Sequence, residues 1–265
     1  MAEWSLVVPR RDITASRGLH VFGSPRVPGV LDYAGHDFPP SAELPWRVTP
    51  LGAITMILDF AAPARTLPLS PVLGLRDRPL LVSQAGPAKG ITVALTPPAA
   101  HALFGVPLRL LANATVSATD LLGRDAVLLA EQLASAPDWT ARFALLDGFL
   151  LPRVRSGPAL ARPVHAAWHR LASAPVRVDA VAAEIGWSRQ HLTVRFREQI
   201  GLSPRTVGRI ARLHRAVSRL PAARSWAELA LNCGYADQSH LNRDFRSLTG
   251  CTLTEYVSES QWQPR

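Results

Sequence analysis

Gly234-Tyr235-Ala236-Asp237-Gln238-Ser239-His240-Leu241-Asn242-Arg243-Asp244-Phe245-Arg246-Ser247-Leu248-Thr249-Gly250 decides how this chain is read. Gly234 ends one short helix, and Asp237 or Ser239 starts the next. Leu241, Phe245 and Leu248 then fall at i, i+4 and i+7, one apolar helical face. The opposite face carries Gln238, Ser239, Asn242, Arg243 and Arg246. These are short donors and acceptors plus guanidinium groups, the types that read base edges and grip phosphates. Upstream, Ser225-Trp226-Ala227-Glu228 has the capping-box pattern of a helix start. A short helix, a glycine turn and a second amphipathic helix with a polar face make a helix-turn-helix, here at about 225–249.

The pattern occurs twice. Asp179 to Ile185 forms a short helix, Gly186-Trp187-Ser188 turns the chain, and Ser188 caps a helix from Arg189. Leu192, Phe196 and Ile200 face inward, giving a first unit at about 178–200. Both copies share a frame of Gly, aromatic, polar residues, Leu, three residues, Phe and a closing Gly (Gly201 and Gly250). Leu192 and Leu241 are 49 residues apart. An in-frame pair is far more specific than a lone motif. Between the units, Thr206 to Leu220 carries Val207, Ile210, Leu213, Val217 and Leu220 at helical spacing. The same reading exposes Arg209, Arg212, Arg215 and Arg219 to solvent.

These two stretches, Ser188 to Pro204 and Gly234 through Gly250 to Glu255-Tyr256, resemble the AraC/XylS family of transcriptional regulators. The resemblance covers about the last hundred residues. It implies two helix-turn-helix units joined by a long helix and binding double-stranded DNA as one reader. The carried-over DNA-binding residues are Arg189, Gln190, His191, Thr193 and Arg195 in the first unit. In the second they are Gln238, Ser239, His240, Asn242, Arg243 and Arg246. Two positions depart from the family's habit. Val194 stands where Arg is frequent, while the second unit keeps Arg243. Leu253 stands where Pro is frequent, while the first unit keeps Pro204. The resemblance further implies an activator that touches RNA polymerase. The N-terminal region resembles, more loosely, the family's sensor halves, which implies a small-molecule effector or a homodimer.

Charge agrees with a polyanionic partner. The chain of 265 residues carries net charge +9, with +2 on residues 1–155 and +7 on residues 156–265. No run of 18 apolar residues exists, so no membrane-spanning helix is expected. The first twenty residues hold Glu3, Arg10, Arg11 and Asp12 and no apolar core of a leader, so the expected location is the cytoplasm. Cys233 and Cys251 both lie in the second unit and read either as small packed residues or as a redox pair.

Residues 1–155 read as a sensor or dimerisation domain, and 156–265 as the DNA-binding domain. The fold class is α+β: a small β-rich N-terminal domain, cupin-like or a sandwich, with helices, followed by an all-α domain. Leu19 to Phe22, Val30 to Tyr33, Val72 to Leu75, Leu80 to Gln84 and Ile91 to Leu95 are short strand candidates. Ile54, Met56, Leu58 and Phe60 alternate with Thr55, Ile57 and Asp59, predicting a half-buried strand. Thr96-Pro97-Pro98 opens a helix through Phe104. Thr119 or Asp120 starts another to about Ala134, and Asp138 caps a third bearing Trp139, Phe143, Leu146 and Leu150. Pro152 to Pro163 reads as the interdomain linker.

Catalytic and metal signals are thin. His20, His36 and His101 are scattered without metal-ligand spacing, so neither metal nor cofactor is expected. An enzyme or repair-type N-terminal domain with a DNA-binding tail is the alternative. It requires a reactive Cys or a metal cluster upstream, and residues 1–232 contain no Cys. Tyr33, Phe38, Trp46 and Phe60 either line an apolar pocket or pack in the core. His191 and His240, equivalent in the frame, either contact DNA or pack the helix start, and Trp187 reads as a packed turn residue.

Overall fold

The computed structural model describes residues 7–9, 19–38, 44–50 and 52–259. Its first half is built on two antiparallel sheets. One holds β1 (Val7–Pro9), β4 (Leu44–Val48), β8 (Leu80–Ala85) and β6 (Ala64–Arg65) in the order β1-β4-β8-β6. The other is six-stranded, in the order β10-β7-β5-β9-β3-β2. Its members are β2 (Leu19–Gly23), β3 (Val30–Phe38), β5 (Ile54–Asp59), β7 (Pro71–Leu73), β9 (Ala88–Leu95) and β10 (Thr115–Ser117).

Strand β5 shows how the layers stack. All six of its residues are buried, so the expected half-buried strand is corrected. Alternation still sorts the two faces. Ile54, Met56 and Leu58 join the main core with the helices, whereas Ile57 packs with Leu73, Val48 and Val82 between the sheets. The second sheet covers the face that the sequence pattern gave to solvent. Each apolar side chain buried this way contributes about 1.5–3 kcal/mol. Asp59 is tolerated inside because Arg65 and the Ser70 N–H both reach its carboxylate. Burial pushes its pKa up, and the Arg65 charge opposes that rise.

The helices follow. Thr96 caps α1 (Pro97–Phe104), with its two prolines at tolerated first positions. One expected helix is two, α2 (Ala118–Leu122) and α3 (Arg124–Ser135), because Gly123 at φ 59° and ψ −139° breaks the spiral. Ser117, one strand end earlier than expected, caps α2 and forms a capping box with Asp120. Asp138 caps α4 (Trp139–Ser156) as expected. Pro152 lies inside α4, which corrects the linker. The last turns of α4 are held by Arg153, which bonds Asp125 at 2.6 Å and stacks on Phe149. Only residues 157–161 connect α4 to the next helix.

The second half is helical: α5 (Arg162–Ser173), α6 (Val178–Glu184), α7 (Arg189–Ile200), α8 (Pro204–Arg219), α9 (Trp226–Asn232), α10 (Gln238–Thr249) and α11 (Leu253–Glu259). Val164, Ala167 and Leu171 of α5 are buried, while Trp168 is only half-buried. The connector is pinned: Leu160 is buried and the Ala161 N–H donates to Gln199 Oε1 at 2.9 Å. One buried cluster runs unbroken from the strands and α1 to α7, α8 and α10. Among the described residues no helix is long and apolar enough to cross a membrane.

Candidate nucleic-acid interface

The two helix-turn-helix units are built alike. In the first, α6 leads to Gly186 at φ 72°, and Ser188 caps α7 by accepting the His191 N–H at 3.1 Å. In the second, α9 is capped by Ser225 and leads to Gly234 at φ 83°. Asp237 then caps α10, accepting the His240 N–H at 2.6 Å. Left-handed backbone at the two turns explains why both copies need glycine there. Leu192, Phe196 and Ile200 of α7 and Leu241, Phe245 and Leu248 of α10 are fully buried. The burial fixes which faces remain free.

Those faces hold most of the sequence-derived candidates. Arg189, Gln190, His191 and Arg195 are exposed on α7, and Gln238, Ser239, Asn242, Arg243 and Arg246 on α10. Three candidates have other work. Thr193 is half-buried and its Oγ1 donates to the Arg189 carbonyl at 2.8 Å. His191 meets the Trp187 ring edge-on at 4.5 Å, and His240 meets Tyr235 likewise at 5.2 Å. His240 Nδ1 also accepts the Ala236 N–H at 3.4 Å. Both histidines therefore pack a turn aromatic against a helix start, the same job twice. Arg195 pairs with Glu198 at 2.8 Å on the open face.

Three of the α8 arginines, Arg209, Arg212 and Arg215, require a correction: they are half-buried rather than exposed, whereas Arg219 is exposed as expected. Arg209 Nε donates to Asp244 Oδ1 at 2.9 Å, and Arg212 lies 3.7 Å from Asp244 Oδ2. Arg212 also sits over the Tyr235 ring at 5.5 Å. Arg219 Nη1 donates to the Asn232 carbonyl at 3.1 Å. The Arg215 guanidinium nitrogens are shielded from solvent. This row clamps the connecting helix to α9 and α10. Its setting also burdens nearby groups. Burial pushes the Tyr235 phenol up, and burial beside Arg215 pushes His214 down to about 4.

Sequence reasoning missed part of this surface. A cleft of about 410 Å³ is lined by Gln238, Asn242, Arg243 and Arg246 together with Trp226 and Thr252. Thr252-Leu253-Thr254-Glu255 carries a readable signal, since it is a capping-box pattern. The box is formed in both directions: the Thr252 N–H donates to Glu255 Oε2 at 2.7 Å and the Glu255 N–H to Thr252 Oγ1 at 3.2 Å. Those bonds hold the Glu255 carboxyl below the usual range.

Of the four aromatics read as pocket or core in the N-terminal half, three are described, and neither the cleft along α10 nor the one at Phe60 brings them together. Tyr33 is buried, stacks on Phe143 at 5.7 Å and donates to Asp147 Oδ1 at 3.0 Å. Phe38 lies beside His36, and the side chain of Trp46 falls outside the described residues. Phe60 instead borders a different cleft of about 300 Å³, with Asp59, Ser70, Ser117, Thr119 and Val127. Backbone register sets His20 opposite His36, although the His20 side chain is outside the described residues. His101 is elsewhere, its Nδ1 3.0 Å from the Val106 carbonyl. Among the described residues no group of three metal-ligating side chains is found. Cys233 and Cys251 are both buried, and neither is in a disulfide.

Residues 164–259 match the family described as a helix-turn-helix domain. This segment is a helix-turn-helix domain of the AraC type, which supports a DNA-binding transcription regulator. Among solved structures, ToxT from Vibrio cholerae O395 is similar over 87% of this chain and 99% of its own, at 11% identity and TM-score 0.48. A DNA-binding transcriptional dual regulator from Escherichia coli K-12 is similar over 39% of this chain and 99% of its own, at 26% identity and TM-score 0.32. A transcriptional regulator with an AraC-type DNA-binding domain from Chromobacterium violaceum covers 39% of this chain and 94% of its own, at 24% identity and TM-score 0.33. No curated protein matches the chain.

Proposed function

We propose that the chain is a sequence-specific transcription activator of the cytoplasm, reading two half-sites with α7 and α10. The observation that supports this best is the pair of exposed, unlike polar faces on two helices of one frame. Gln238, Ser239, Asn242 and Arg243 on α10, with Gln190 on α7, are assigned to base edges. Arg189, Arg195 and Arg246 are assigned to phosphates. Thr193, His191 and His240 set the helix starts and touch DNA only from their outer edges. The N-terminal domain takes the sensing or dimerisation role. The cleft between Asp59, Ser70 and Ser117 on one side and Val127 on the other suits a small amphipathic effector. Contact with RNA polymerase completes the activator reading.

The test is direct. Arg243→Ala and Gln238→Ala should each weaken binding to selected sites by about tenfold to a hundredfold, the range of a good bidentate base pair, and weaken random DNA far less. Equal losses on both DNAs would remove base reading from α10.

A further inference from the structure

The closing glycines of the two units are both held by the N-terminal half, at equivalent places. Gly201 ends α7 at φ 92° and Gly250 ends α10 at φ 76°. A Cβ on Gly201 would lie 2.8 Å from the Leu108 carbonyl oxygen, in a 3-10 turn spanning Leu108–Leu110. A Cβ on Gly250 would lie 3.2 Å from Pro79 Cγ. The positive φ favours glycine at both points, and at Gly201 the close Leu108 carbonyl demands it as well. The next residue in each unit, Leu202 or Cys251, is buried as well.

The second contact is the more specific one. Arg47, on β4 and 2% exposed, donates from Nη1 to Cys251 Sγ at 2.7 Å. The Tyr256 hydroxyl of α11 faces Thr49 and the Arg47 charge, and Glu255 also feels that charge. Between the two contacts, Gly52 approaches α8: a Cβ there would lie 3.4 Å from Ile210 Cγ2. The N-terminal half thus touches the first unit, the connecting helix and the second unit.

Reading two half-sites on one face of B-DNA demands a fixed distance and angle between the reading helices. Helix α8, 16 residues and about 24 Å long, joins the units but meets each through a turn. The N-terminal half bears on the first of those turns, at Gly201, and on the far end of the second unit, at Gly250 and Cys251. We propose that the N-terminal domain is a brace that fixes α7 relative to α10, with Arg47 as the positioning residue for the second unit, so that both domains set the half-site spacing. The brace rests on the DNA-reading role above.

The full chain tests it with duplexes whose selected half-sites are moved apart or together by single base pairs. Wild type should show one sharp optimum. Arg47→Met and Cys251→Ala should flatten the preference between neighbouring spacings by about fivefold or more, because a hydrogen bond at the seam is gone. Affinity for an isolated half-site should hold within about twofold, and Cys251→Ser, which keeps an acceptor, should retain the sharp profile. Hydrogen exchange without DNA supplies the second readout: the 249–256 amides should exchange faster in Arg47→Met while α7 stays protected. A sharp profile and unchanged exchange in both variants overturns the brace. Exchange that responds in a protein selecting no two-block duplex overturns the DNA reading, and the spacing claim with it.

Discussion

Arg209 and Asp244 join the connecting helix to α10, Nε to Oδ1 at 2.9 Å, with the two side chains 29% and 12% exposed. In the first unit the same frame position is Arg195, which stays on the surface and pairs with Glu198. The second unit is therefore tied to α8 by charge as well as by apolar packing. Removing Arg209 leaves a largely buried carboxylate facing Arg212 at 3.7 Å. Arg209→Ala should cost about 1–3 kcal/mol of stability, less than a fully buried pair because solvent reaches Arg209. Asp244→Ala should cost a similar amount, and the double variant less than the sum of the two. Denaturant unfolding of the four proteins measures this; strictly additive losses would mean the pair is not coupled.

Val194 is 50% exposed in the frame position that Arg243 holds in the second unit. Valine can touch a thymine methyl but bonds neither base nor phosphate. Val194→Arg should therefore raise affinity for selected and random DNA alike. The dependence of log affinity on log salt should steepen by about 0.9, one added phosphate contact. Weaker binding by this variant would show that Val194 already fits the groove.

His214 predicts a pH effect on the fold. Burial, then the neighbouring Arg215 charge, lowers its pKa to about 4 from an ordinary 6.5. The unfolded chain thus binds the proton more readily, and stability is full above about pH 6.5 and lost as pH falls towards 4. At about 1.4 kcal/mol per pKa unit the loss is on the order of 2–4 kcal/mol. His214→Gln should flatten unfolding midpoints across that window. The same slope in both proteins would place the titration elsewhere.

The helical half was legible because its signals are local. Ser188 and Asp237 cap, Gly186 and Gly234 turn, and Leu192-Phe196 and Leu241-Phe245 repeat at helical spacing, all within short windows. What the sequence hid depends on partners far along the chain. Arg209 and Arg212 look like a solvated face until Asp244 meets them. Ile57 alternates as an outward residue until Val48 and Val82 of the second sheet cover it. Pro152 looks like a break, yet Arg153 holds the helix to Ser156. Local spacing leaves His191 and His240 either of two roles, and only the fold reveals their ring contacts with Trp187 and Tyr235.

The central claim is that one chain reads DNA with two unlike helices. Selection of duplexes from a random pool by the full-length protein tests it most directly. The faces of α7 and α10, with Val194 against Arg243, predict two unequal blocks centred about 10 bp apart, the more informative one read by residues 237–243. Arg243→Ala should erase preference in that block alone. A pool that enriches no sequence, or enriches a single block indifferent to Arg243→Ala, would contradict the account.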